Sequence, residues 1–294
     1  MTGRWDKTYR RNYEQYCPRP RLLPNRRTPS PVLSIKQGLK YDSPESARDI
    51  PTFIAFHKLN VDEIAEPLSN FCKCIRSASA SLGCWLIVAA ETCNQFFYRK
   101  LNPDARPVEC PDDPYRLVSG ADCRLMVTTA RGGEPFGGRE VQWRRAVHLS
   151  ARAHRFYSPV DGTIGPTTDI AGEYYTVNPQ AIRSALDVYG ENVRKIVPID
   201  SPQFGRVACV CIGAMMVGSI HMTVEEGQQV KRGQEFGYLA FGGSTIVVLF
   251  EKGVVQRDED LLINSRACLE TLVRVGMGIG HGKRKPNTDG GGAQ

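Results

Sequence analysis

The chain has 294 residues, 41% hydrophobic and 23% charged, with a formal net charge of +7. This composition excludes a disordered chain and allows one large domain or two small ones. Most of the excess charge lies in residues 1–30, where Arg4, Lys7, Arg10, Arg11, Arg19, Arg21, Arg26 and Arg27 face only Asp6 and Glu14. A basic arm before a near-neutral body is the result, not the global basicity of a nucleic-acid binder.

Residues 1–36, punctuated by Pro18, Pro20, Pro24, Pro29 and Pro31, read as a flexible basic arm able to touch an anionic membrane. They carry no apolar signal-peptide core, and their prolines argue against a transit helix. Between Ile50 and Phe71, the apolar residues Phe53, Ile54, Phe56, Leu59, Val61, Ile64, Ala65 and Leu68 recur at helical spacing behind Asp49 and Pro51, which predicts one or two short helices. The most apolar run, Ser77 to Ala90, is shorter than the roughly 18 residues a spanning helix needs. No transmembrane helix is expected. Phe96, Phe97 and Leu101 mark another short helix ending at Pro103. Residues 115–130 read as strand and 131–140 as a Gly-rich loop.

Beyond Pro159 the pattern changes to short β-rich runs separated by Gly turns, the signature of an antiparallel sandwich or barrel. Pro179 to Tyr189 reads as one short helix between these runs, Asp260 to Val275 as an amphipathic C-terminal helix, and 281–294 as a polar, disordered tail. The fold class is therefore α+β, mainly an antiparallel β barrel or sandwich with short N-terminal helices and a C-terminal helix. Gly227, Gly233 and Gly237 fall in a stretch, Val224 to Gly237, that suits the hairpins of a biotinyl or lipoyl carrier, but no Met-Lys pair is there to be modified. Of the ten cysteines none forms a CxxC pair, so they read as reduced thiols and no metal site is predicted. Cys209 and Cys211 should share one face of a strand.

Phe241-Gly242-Gly243-Ser244-Thr245 runs directly into a β-branched strand. A serine behind a glycine can attack its own upstream carbonyl, because glycine leaves that carbonyl unshielded and tolerates the strained backbone this requires. Taken with His154 to Gly162 (HRFYSPVDG), Ser119 to Arg124 (SGADCR) and Phe96 to Pro107 (FFYRKLNPDARP), the segment resembles the phosphatidylserine decarboxylase proenzymes. The resemblance runs from about Gln37 to Gly280 and is nearest to the non-mitochondrial eukaryotic branch, which makes 37–280 the expected catalytic domain.

That resemblance implies a self-cleaving proenzyme. Ser244 attacks the Gly243 carbonyl, and elimination releases a β chain ending at 243 and an α chain whose first residue becomes a pyruvoyl group. The pyruvoyl cofactor then acts as electron sink for decarboxylation of phosphatidylserine to phosphatidylethanolamine. By motif, Asp122 is the relay acid, His154 the histidine of the decarboxylation step, and Tyr157 stands where the family has its relay histidine. A phenol is a poor base near neutral pH. Asn192 and Arg194 are candidate contacts for the substrate head group. Residues 72–93 read as an insertion, and 129–153 departs from the family pattern. Implied partners are phosphatidylserine in a membrane surface, the α and β chains of one precursor, and a second copy in a homodimer, with no nucleic acid. The implied location is peripheral on Golgi-, endosome- or vacuole-type membranes, or cytosolic. An unprocessed, non-catalytic family member and a pyruvoyl-dependent amino-acid decarboxylase are the alternative readings.

Overall fold

The structure, a computed structural model, describes residues 38–65, 92–127, 141–149, 154–175, 188–214, 219–240 and 245–283, with 141–149 described in backbone only. The basic arm, the apolar 77–90 run, the Gly-rich loop and residues 241–244, with the expected cleavage point, lie outside these residues.

Helix α1 (Ile50–His57) carries Pro51 in its first turn, where a missing N–H leaves no hydrogen bond unmade. It stops at Lys58, whose φ of 49° ends helical geometry. Helix α2 (Cys93–Phe97) is capped by the Thr92 hydroxyl, which accepts from the Gln95 N–H at 3.2 Å. Ile50, Ile54, Cys93 and Phe96 bury together as a small N-terminal core. A bridge between Ile64 and Leu101 then brings the 96–107 stretch alongside the segment that follows α1.

The remainder is dominated by strands: β1 (Arg116–Val118), β2 (Cys123–Val127), β3 (Val141–Leu149), β4 (Arg155–Tyr157), β5 (Gly162–Ile164) and β6 (Thr168–Ile170). After the short helix α3 (Val188–Glu191) come β7 (Arg194–Ser201), β8 (Gly205–Ile212), β9 (Ser219–Met222), β10 (Gln229–Val230), β11 (Glu235–Ala240), β12 (Thr245–Glu251) and β13 (Val255–Arg257). Helix α4 (Glu259–Arg266), β14 (Thr271–Val273) and β15 (Gly278–Gly282) close the described chain. A nine-stranded sheet has the order β10-β5-β7-β8-β12-β3-β2-β14, with β6 beside β7, and two three-stranded sheets have the orders β1-β15-β13 and β4-β11-β9. Every strand ladder is antiparallel.

The expected α+β class with a mainly antiparallel sheet is present. No sheet closes into a barrel among the described residues. Strand β8 shows why its sequence reads as an unbroken apolar run. Val207, Cys209 and Cys211 point into the main core, while Ala208, Val210 and Ile212 join Val247 and Leu249 in a cluster on the opposite face. A strand covered on both sides has no polar face to alternate with.

One element differs from the expectation. Instead of one helix from Asp260 to Val275, α4 ends at Arg266, Cys268 turns through φ 58°, and Thr271–Val273 pair with β2 as an edge strand. The leucines at 261, 269 and 272 mimic helical spacing, yet only Leu261 is buried, whereas Leu269 and Leu272 are exposed. Two β-branched residues, Thr271 and Val273, find a free strand edge there, and that pairing overrides the helical pattern.

Candidate active site

One end of the nine-stranded sheet gathers the chemistry. In register, Arg194 pairs with Ile212, and Ile212 with Thr245. Ile246 pairs with Ala146, and Ala146 with Leu125. The starts of β7, β12 and β2 therefore lie at the same end, Arg194 and Thr245 being two strands, or about 10 Å, apart. Asp122 immediately precedes β2, Asn192 lies just before β7, and residue 244 immediately precedes β12. From the smaller sheet, the Leu239 N–H donates to the His154 carbonyl at 2.8 Å, which sets His154 beside the end of β11. Residues 241–244 connect β11 to β12, so His154 lies beside the end of β11, and the β2 end with Asp122 lies at the same sheet end as the start of β12, across the intervening β3.

Asp122 is 2% exposed and held by a guanidinium fork. Arg106 donates from Nε to Oδ1 at 3.0 Å and from Nη2 to Oδ2 at 2.7 Å, while the Val275 N–H donates to Oδ1 at 2.9 Å. Arg106 reaches Glu63 as well, at 2.9 Å. These carboxylates and hydrogen bonds raise the guanidinium's proton affinity against its burial, so the charge on Arg106 is fixed. The fork explains why a carboxylate can be nearly inaccessible: a buried charge persists when paired and hydrogen-bonded.

His154 is equally buried, its ring stacked on Phe97 with centroids 3.8 Å apart and planes at 28°. Its own N–H donates to the Phe97 carbonyl at 3.2 Å. Burial, followed by the positive charges of Arg99 and His57, pushes the imidazole down to about 3, so it is neutral at physiological pH. Its Nδ1 has no hydrogen-bond partner among the described residues.

Tyr157 ends β4 and is tied to the Asp122 loop through its backbone, its N–H donating to the Gly120 carbonyl at 2.7 Å. A Cβ at position 120 would overlap the Tyr157 carbonyl oxygen, so glycine permits this approach. Burial and the negative charge of Glu235 push the phenol up to about 12, with a smaller contribution from Asp122. Asp122 and Tyr157 are thus brought together, and the phenol stays protonated.

Asn192 is fully buried, its side-chain amide accepting from the Tyr175 N–H at 2.7 Å and donating to the carbonyls of Tyr175 and Gly213 at 2.8 and 2.9 Å. Arg194 donates from Nη1 to the carbonyls of Tyr189, Gly190 and Asn192. Both side chains bind local backbone at the end of the sheet that bears Thr245.

Arg106, Glu63, Arg99, His57 and Phe97 were not singled out by sequence reasoning. Arg106 and Phe97 lie inside the quoted FFYRKLNPDARP motif, which was the available signal. His57 closes α1, where it reads as an ordinary helix end. Among the described residues there is no group of three or more His, Cys, Asp or Glu able to hold a metal ion, and no helix long and apolar enough to cross a membrane.

Comparison with known proteins points the same way. The sequence model of the phosphatidylserine decarboxylase family matches residues 93–281. Phosphatidylserine decarboxylase proenzyme 3 of Schizosaccharomyces pombe is 45% identical over 276 residues, covering 87% of this chain and 26% of that protein. Phosphatidylserine decarboxylase proenzyme 2 of rice is 40% identical over 272 residues, covering 84% of this chain and 40% of that protein. The Chlamydia caviae phosphatidylserine decarboxylase proenzyme is 30% identical over 277 residues, covering 87% of this chain and 86% of that protein. The chain thus spans about a quarter of the length of the fungal relative and nearly all of the bacterial one.

Proposed function

The chain belongs to the phosphatidylserine decarboxylase family, and we propose that it is a self-cleaving phosphatidylserine decarboxylase, cut between Gly243 and Ser244 and converting phosphatidylserine to phosphatidylethanolamine. The observation that carries this reading is the placement of His154 beside the end of β11 and of Asp122 at the same sheet end as the start of β12, the two strands that residues 241–244 join.

A pyruvoyl group at residue 244 supplies an electrophilic carbonyl and an electron sink that ordinary side chains lack. The atoms nearby suit a small carbonyl-bearing group: Thr245 Oγ1 and His154 Nδ1 are buried polar atoms without hydrogen-bond partners among the described residues, and buried polar atoms normally have one. Thr245 and His154 would be the residues to hold it.

Each side chain then has a task set by its surroundings. Asp122, clamped by Arg106, provides a fixed negative charge. His154 begins neutral, its proton affinity depressed first by burial and then by Arg99 and His57. A phosphatidylserine head group has a phosphate and a carboxylate against one amine. Its net negative charge beside His154 offsets those cations and favours protonation of the imidazole. CO2 loss leaves a carbon that needs a proton, and a freshly protonated His154 can deliver it. Phe97 fixes the ring plane for that delivery. Asn192 and Arg194 serve the head group by shaping the backbone of the 189–192 and 213 segments at the same sheet end.

The reading is tested by CO2 release from purified protein given phosphatidylserine vesicles or free serine. Release from the vesicles alone is expected. Release from free amino acids alone would move the chain to the soluble-substrate alternative, and none from either would mark it as non-catalytic.

A further inference from the structure

The proposed cleavage leaves a 244–294 fragment that is gripped at two separate places. Its first strand, β12, lies between β3 and β8, paired along nearly its whole length. Its last described part, the limb formed by residues 271–282, is gripped elsewhere, and Arg116 is at the centre of that grip.

Arg116 is 8% exposed and lies upstream of the cut. It donates to Glu109 Oε1 from Nη2 at 2.6 Å and from Nε at 3.2 Å, and to Asp258 Oδ1 from Nη1 at 3.0 Å. Nη1 also faces His281 Nε2 at 2.7 Å. A guanidinium can only donate, so Nε2 accepts and the His281 proton sits on Nδ1. Glu109, upstream as well, accepts the Gly278 N–H on its other oxygen at 2.8 Å. A Cβ at Gly278 would collide with the guanidinium, so glycine is what lets Arg116 lie against the limb. Around this node, Arg116 pairs with His281 in the β1–β15 ladder, Glu109 N–H donates to the Gly276 carbonyl, and Ser119 N–H to the Met277 carbonyl. Arg116 and Glu109 thus belong to the larger fragment, and Asp258, Gly278 and His281 to the smaller.

The limb reaches the site at one atom. Val275, just before Gly276, gives its N–H to Asp122 Oδ1, a carboxylate that also accepts from the Arg106 nitrogens upstream. We propose that Arg116 is a positioning residue that seats the limb against the larger fragment, so that the Val275 amide stays on the Asp122 carboxylate once the chain is cut. This rests on the cleavage reading for its purpose, but the seating itself can be measured with or without cleavage.

The test is hydrogen exchange by mass spectrometry on the full chain, comparing wild type with Arg116→Met, Arg116→Lys and Asp258→Asn. Peptides covering 271–282 should exchange about tenfold faster or more in Arg116→Met, while peptides covering 245–251 keep their wild-type rate. Lysine keeps the charge but cannot bridge Glu109, Asp258 and His281 together, so Arg116→Lys should behave like Arg116→Met, and rescue by lysine would overturn the proposal. Unchanged exchange in the limb would overturn it, as would an equal rise in both regions. If Arg116→Met fails to fold, Asp258→Asn carries the same comparison with a smaller shift in the same direction. Gel electrophoresis of the same samples reports cleavage. An intact wild-type chain would sink the cleavage reading and leave the exchange result to decide the role of Arg116.

Discussion

Arg106 and Asp122 meet as a buried fork, Nη2 to Oδ2 at 2.7 Å and Nε to Oδ1 at 3.0 Å, and Arg106 extends the contact to Glu63. The pair therefore ties the segment that follows α1 to the loop in front of β2. Replacing Arg106 by methionine leaves two carboxylates without their cation, one of them buried, and should cost about 3–5 kcal/mol of stability. Asp122→Asn in that background should recover part of the loss, because the amide needs no counter-charge. Urea denaturation midpoints measure both. A single variant within about 0.5 kcal/mol of wild type would show that the fork does not hold the loop.

Tyr157 has the second consequence. Its phenol is pushed up to about 12, so it is protonated throughout the neutral range and is no proton acceptor for the proposed attack by Ser244. Tyr157→His places a group of ordinary pKa about 6.5 beside Asp122, and should speed appearance of the two fragments at pH 7.5 at least about tenfold, the usual range for a general base being 10²–10⁴. Tyr157→Phe should cleave like wild type. Gel densitometry over time separates them, and a slower Tyr157→Phe would assign the phenol a direct part.

The two depressed histidines make stability pH-dependent. His154 is pushed down to about 3 and His57 to about 4, both chiefly by burial. Their folded values lie below the unfolded one of about 6.5. The unfolded chain therefore takes up protons first as the pH falls, and the stabilisation present above about 6.5 is lost progressively toward about 4 and below. Thermal melts from pH 7.5 to 4.5 should show this fall, and His57→Asn should flatten part of it. A midpoint that does not drop below pH 6 would contradict the burial of these rings.

Thiol reactivity separates the cysteines. Cys123 and Cys209 are buried and pushed up to about 12, and Cys93 to about 11, whereas Cys110 and Cys268 are exposed. Among the described cysteines, a brief iodoacetamide pulse at pH 8 should label Cys110 and Cys268 and spare Cys93, Cys123, Cys209 and Cys211, because the thiolate is the reacting form. Peptide mapping reads the outcome, and early labelling of Cys209 would show an open core.

Phe97 should matter to turnover more than to binding. Removing its ring in Phe97→Ala leaves the His154 imidazole without the face that sets its plane. The expected effect on decarboxylation is a fall in kcat with KM close to wild type. Steady-state assays on lipid vesicles measure it, and a change confined to KM would place Phe97 in substrate binding.

The strands and their turns could be read from the sequence because β-branched runs and glycines are local signals, and β11, β12 and the 224–237 hairpins follow them. Asp122, His154 and Tyr157 stand out in the sequence through ordered motifs, and the structure buries the first two and ties Tyr157 to the Asp122 loop. Arg106, Arg116 and His57 were not. Their roles come from pairings across long stretches of chain, such as Arg116 with Asp258 and His281, which leave no local pattern. The 260–275 helix failed for a related reason: Leu269 and Leu272 have helical spacing, but the strand edge offered by β2 decides the conformation of Thr271–Val273. Asn192 and Arg194 read as polar residues near a ligand, while their hydrogen-bond partners in the structure are the backbone of Tyr175, Tyr189, Gly190, Asn192 and Gly213.

The intact mass of the purified protein under denaturing conditions tests the central claim most directly. The account predicts a C-terminal fragment starting at residue 244, lighter than its seryl form by one ammonia because a pyruvoyl group caps it, together with a partner ending at Gly243. A single uncut 294-residue chain as the only species, before and after incubation with phosphatidylserine vesicles, would contradict it.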